Sequence, residues 1–168
     1  MRRLGGFPIN GSAVRWTDAF RALQTERLGL VDVGARDGAH PLFDRVAPLL
    51  HVVGFEPDAQ ECHRLNMAKS QRYAQEQHLP YGLGRADGQG ALYLCRKPAV
   101  SSFYRPNREW LDRFPEAERF DILETRPIPI RSLDSLMRDA DNPLPPYIDF
   151  LKIDVEGGEL QVFRGAVK

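Results

Sequence analysis

The sequence predicts an α/β fold: a mostly parallel sheet with helices on both faces, plus an inserted antiparallel pair. Three observations carry this. Two continuous apolar runs, Leu28-Gly-Leu-Val-Asp-Val and His51-Val-Val-Gly-Phe, each end at a turn, as strands buried on both faces do. Strand and helix alternate across residues 28–83, the pattern of right-handed βαβ units. Two later segments, 88–95 and 126–131, alternate in polarity and carry edge prolines, as short antiparallel strands do.

The elements follow in order. Residues 1–16 are rich in Gly and Arg with weak pattern and read as an arm on a domain spanning 17–168. Thr17 can cap a helix over 18–27, with Phe20, Leu23 and Leu28 on its buried face. After the first strand, Leu42, Val46 and Leu49 fall at helical spacing over 41–50. The second strand, 51–55, closes on Glu56 and Pro57; a helix over 59–77 turns Leu65 and Met67 inward, and 79–83 reads as a third strand. Residues 101–120 are aromatic and polar without clear period, a loop or a short helix around 107–114. A helix begins at Ser132 or Asp134 and runs through Met137; Tyr147-Ile-Asp-Phe-Leu-Lys-Ile-Asp-Val is a fourth core strand, turning at Gly157-Gly158 into a helix from Glu159.

Composition narrows the function. At 168 residues the chain is one domain's worth, able to bury roughly 70% of its unfolded surface. A mean hydropathy of −0.42 and the absence of an apolar signal region argue against a membrane span or secretion and for the cytoplasm. Twenty-three basic residues balance 23 acidic ones, so nucleic acid is not an expected partner. Nineteen of the bases are arginine, which suits phosphate or carboxylate recognition and equally reflects genome composition. Cys62 and Cys95 lie far apart with no C-x-x-C and read as idle thiols; no ligand cluster points to a metal.

Chemistry concentrates at three strand ends. Val31-Asp-Val-Gly-Ala-Arg-Asp-Gly38 places a glycine at a strand-to-helix turn, where a ligand can approach the backbone. It lacks the G-x-G-x-x-G dinucleotide fingerprint, which counts against a nicotinamide enzyme. Glu56, 22 residues after Gly34, ends the second strand, where an acid accepts ribose hydroxyls; alternatively it caps the helix near Asp58. Asp154 ends the fourth strand, where open α/β sheets bind ligands. Glu156 and Glu159 follow, either as site groups or as first-turn acids favoured by the helix dipole. Lys152 inside a buried strand needs a carboxylate partner such as Asp32, or reaches an edge.

Together the segments resemble the FkbM-type family of S-adenosylmethionine-dependent methyltransferases. The resemblance rests on Val31-Asp-Val-Gly-Ala, Gly54-Phe-Glu-Pro57, Gly82-Leu-Gly84 with Gly88, Ser101-Ser102, Ser132-Leu-Asp-Ser-Leu136, and Leu151-Lys-Ile-Asp-Val-Glu-Gly-Gly-Glu159 with Arg164-Gly-Ala166. It implies a Rossmann-like methyltransferase fold and methyl transfer to a hydroxyl of a sugar, glycolipid or secondary metabolite, with a small-molecule or glycan acceptor as partner. It also implies that Asp32 and Gly34 line the methionine end of S-adenosyl-L-methionine, that Glu56 holds the ribose, and that Gly84 and Arg85 border the adenine. Ser101, Ser102, Asp154 and Glu156 would lie near the sulfonium and the acceptor, with Asp154 or Glu156 as base and Phe103 and Tyr104 as an aromatic face. Arg36 stands where the family often has Asn, and either crowds the amino-acid end or pairs with its carboxylate. A degenerate or truncated cofactor-binding domain without activity is the alternative. The family's sheet would continue beyond Arg164-Gly-Ala166, so the strand at 148–155 is expected to leave an open apolar edge prone to self-association.

Overall fold

A computed structural model describes residues 25–68 and 71–167. The expected arm, and most of the helix over 18–27, lie outside the described residues. Four strands form a fully parallel sheet: β1 (Leu28–Val33), β2 (Leu50–Phe55), β3 (Gln75–Leu79) and, after a long excursion, β7 (Phe150–Ile153), in the order β3-β2-β1-β7. The two central strands are the most apolar because both their faces are covered. Val31, Val33, Val53 and Phe55 point to one face, against Leu133, Leu136 and Val162; Leu30, Leu50 and Val52 point to the other, against Ala47 and Tyr73. Burying a Val, Leu or Phe side chain contributes about 1.5–3 kcal/mol, so these two clusters fix the sheet's register.

The second sheet has the order β4-β6-β5: β4 (Gly82–Leu83), β5 (Gly88–Cys95) and β6 (Ile122–Arg131), with β5 and β6 antiparallel as expected. β4 pairs only with Ile130 and Arg131, so Pro127 and Pro129 meet no second strand among the described residues and cost no ladder bond. Helix α1 (Ala59–Met67) starts at Asp58, whose Oδ1 accepts the Gln60 amide at 3.2 Å. The short α2 (Arg108–Leu111) falls within the expected loop; α3 (Leu133–Arg138) is capped by Ser132, and α4 (Glu159–Arg164) follows β7.

Three elements differ from expectation. Residues 41–50 hold two turns of 3₁₀ helix, Pro41–Phe43 and Ala47–Leu49, because Pro48 removes a donor that a continuous helix needs; Leu42 is exposed. Helix α1 stops at Met67 rather than near Gln77: Asn66 turns its amide to the backbone of His78, donating to its carbonyl at 2.8 Å and accepting its N–H at 3.0 Å. Gln75-Glu-Gln-His-Leu, a run of helix formers, is thereby recruited as edge strand β3, tertiary pairing overriding propensity. The expected strand at 79–83 is split, with Leu79 ending β3 and Gly82–Leu83 forming β4 in the other sheet; Pro80 lies at the break. The fourth core strand is shorter than the expected 147–155, and its outer edge has no strand partner among the described residues.

Candidate active site

A cleft of about 540 Å³ opens over the carboxyl ends of β1, β2 and β7, within the range of small-molecule sites. At the end of β1 the chain turns at Gly34 with φ +79°; a Cβ there would lie 2.0 Å from the Asp154 carbonyl oxygen. The glycine is therefore required by the close approach of β1 and β7, and it leaves the backbone bare beside the cleft. Gly34 and Ala35 both donate to the Phe55 carbonyl, at 3.0 and 3.1 Å, locking this turn to β2.

Glu56 follows β2 and is almost wholly buried, yet lines the cleft. Its Oε1 accepts the Asp58 amide at 2.9 Å and lies 3.7 Å from Arg36 Nη2, while no described residue donates to Oε2. Burial pushes its carboxyl up to about 7, against the opposing pull of the Asp58 amide and the Arg36 charge. Asp58, not Glu56, caps α1. Arg36 is thus committed to acids at the β2 end: Nη2 donates to Asp58 Oδ2 at 3.0 Å.

Lys152 and Asp32 face each other across β7 and β1, the first of the two alternatives the sequence left open. Lys152 Nζ lies 3.1 Å from Asp32 Oδ1 and 3.9 Å from Asp154 Oδ2, and donates to the Gly34 carbonyl at 2.9 Å. Asp32 is 1% exposed and does not reach the cleft surface; burial holds its carboxyl above the usual range despite Lys152. Its side chain anchors the lysine that does line the cleft.

After β7, Asp154 is exposed at the cleft mouth and Glu156 sits in a left-handed turn, φ +52°. Ser102 holds that turn: its hydroxyl donates to the Glu156 carbonyl at 2.8 Å and accepts the Tyr104 amide at 3.1 Å. Ser101 Oγ accepts the Cys95 amide at 3.1 Å. Partial desolvation, with Asp154 and Glu159 nearby, raises the Glu156 carboxyl, whereas backbone amides hold Glu159 low. Glu159 accepts the Val155 and Gly157 amides and serves as a structural acid.

Gly34, Glu56, Ser101, Ser102, Asp154 and Glu156 thus share one cleft, with Phe103 in its wall. Gly84 and Arg85 are not in it. Gly84 is buried against Gly165, where a Cβ would lie 2.2 Å from the Gly84 carbonyl oxygen, and Arg85 is exposed. Tyr81, Gly82 and Leu83 line the cleft instead. Tyr104 is half exposed outside the wall. Leu92 and Arg72 also line the cleft without any sequence signal, since neither falls in a recognisable pattern. Cys62 and Cys95 are buried and unpaired, and burial raises both thiols.

Among the described residues no cluster of three or more His, Cys, Asp or Glu side chains could hold a metal, and no helix is long and apolar enough to cross a membrane. A family model described as methyltransferase FkbM domain matches residues 32–168. No curated protein and no solved structure matches the chain significantly.

Proposed function

The chain belongs to the FkbM methyltransferase domain family, and from that premise we propose that it uses S-adenosylmethionine to methylate a hydroxyl of a sugar, glycolipid or secondary metabolite. The observation that carries the reading is Glu56, a buried carboxylate at the carboxyl end of β2 with one oxygen anchored and the other without a donor among the described residues. Such a group fits a ligand bringing vicinal hydroxyls, as ribose does. The apolar wall of Phe55, Leu83, Leu92 and Phe103 fits a flat heterocycle, and the bare backbone at Gly34 and the Lys152 ammonium fit an amino-acid moiety. S-adenosylmethionine, when bound, supplies an activated methyl group on a sulfonium centre.

The protein's own task is positioning, which alone contributes about 7–11 kcal/mol to a well-aligned reaction. Glu56 fixes the ribose and Phe103 helps exclude water. Glu156, its carboxyl raised and its backbone pinned by Ser102, accepts the proton of the acceptor hydroxyl, with Asp154 at the mouth as the alternative base. Both bear negative charge beside a site for a cationic donor.

Calorimetric titration of the folded protein with S-adenosylhomocysteine and with NAD tests the reading. Binding of the first and not the second is expected. Binding of NAD alone, or heat with neither, would refute it.

A further inference from the structure

We infer that Arg36 is a positioning residue for the cofactor acid: its guanidinium, held by Asp58, faces Glu56 Oε1 and favours the charged carboxylate with Oε2 available to ribose. The inference rests on the cofactor reading above and assigns Arg36 a role at the ribose rather than at the amino-acid end.

The geometry supplies each link. Arg36 Nη2 donates to Asp58 Oδ2 at 3.0 Å and stands 3.7 Å from Glu56 Oε1. Asp58 Oδ1 is engaged from the other sheet by Arg126 Nη1 at 3.0 Å, and Arg126 is gripped by Glu124 at 2.7 Å through two nitrogens. Asp58 is thus clamped between two arginines and presents its amide to Glu56. The Asp58 amide and Arg36 favour the Glu56 charge, while burial and the neighbouring acids oppose it. Asp58 and Glu61, at the start of α1, are acidic, Cys62 on α1 is a neutral thiol, and β3 contributes only the Leu79 carbonyl, which accepts the Glu56 amide at 3.1 Å. Arg36 is the one cation that acts directly on this carboxylate among the described residues. Its side chain is 20% exposed, so solvent screens it weakly. A carboxyl poised near 7 turns small electrostatic changes into large changes in the ionised fraction.

The test is the affinity for S-adenosylhomocysteine from pH 5.5 to 9. Wild-type affinity is expected to fall about tenfold per unit below the Glu56 inflection. Arg36→Gln should move that inflection up by about one unit, weakening binding about fivefold at pH 7 and about tenfold below pH 6 while converging on wild type at pH 9. Arg36→Lys, which keeps the charge, should retain the wild-type inflection. Glu56→Gln should lose the inflection, separating it from titration of the ligand. An unchanged Arg36→Gln profile would overturn the inference, as would an equal loss at every pH, the mark of a merely structural role. Absence of S-adenosylhomocysteine binding by wild type at every pH would overturn the cofactor reading itself.

Discussion

Replacing Lys152 with Met should expose the cost of a buried acid at the floor of the cleft. In the native chain the ammonium lies 3.1 Å from Asp32 Oδ1, and Asp32 is 1% exposed. At an effective dielectric of about 20 that attraction is worth roughly 5 kcal/mol before desolvation. Removing one partner of a buried pair typically costs about 3–5 kcal/mol. Two features reduce this. The lysine side chain is still 23% exposed, and the orphaned acid can neutralise itself by taking a proton. The expected loss at pH 7 is therefore about 2–3 kcal/mol, read from urea unfolding. The pH dependence gives the sign. Burial raises the folded pKa of Asp32, so its contribution favours folding at low pH and is lost as pH rises through that pKa. Without Lys152, the strongest influence lowering it, that pKa rises further, and the deficit relative to wild type should grow from pH 5 to pH 8. Adding Asp32→Asn to Lys152→Met should recover at least about 1 kcal/mol. A deficit under about 0.5 kcal/mol at pH 8, or one independent of pH, would refute the reasoning.

Other consequences are equally specific. Gly34→Ala combines a left-handed backbone with a clash on the Asp154 carbonyl, so a loss of about 3 kcal/mol or more is expected in urea unfolding, against the ~1–2 kcal/mol of left-handed strain alone. Ser102→Ala removes the donor that pins the Glu156 turn; about 1–2 kcal/mol of stability should be lost, with kcat reduced and S-adenosylhomocysteine affinity within about threefold of wild type. Glu156→Gln should lower kcat about 100-fold or more and abolish an ascending pH limb that lies above the usual carboxylate range, as followed by methyl transfer to an accepted hydroxyl substrate. Full turnover in Glu156→Gln would remove it as the proton acceptor.

The parallel sheet was legible where strands are buried on both faces, because Leu30, Val31 and Val33, like Val52, Val53 and Phe55, put apolar side chains on both. Edge strand β3 was not, since Gln75, Glu76 and Gln77 satisfy a half-exposed strand as well as a helix, and only pairing with His51–Phe55 decides between them. The resemblance pointed to Gly84 and Arg85 beside the adenine, whereas Tyr81–Leu83 line the cleft. Lys152 and Asp32 could be paired from sequence because a buried lysine demands a counter-charge. The placing of Arg36 beside Glu56 could not, because it depends on Asp58 being clamped from β6, a contact 68 residues away in the chain.

The most direct test of the account is a crystal structure of the complex with S-adenosylhomocysteine. Both ribose hydroxyls are expected within hydrogen-bonding distance of the Glu56 carboxylate, with the adenine against the Leu83 and Phe103 wall. A nucleoside lodged elsewhere, with Glu56 touching no hydroxyl, would contradict it.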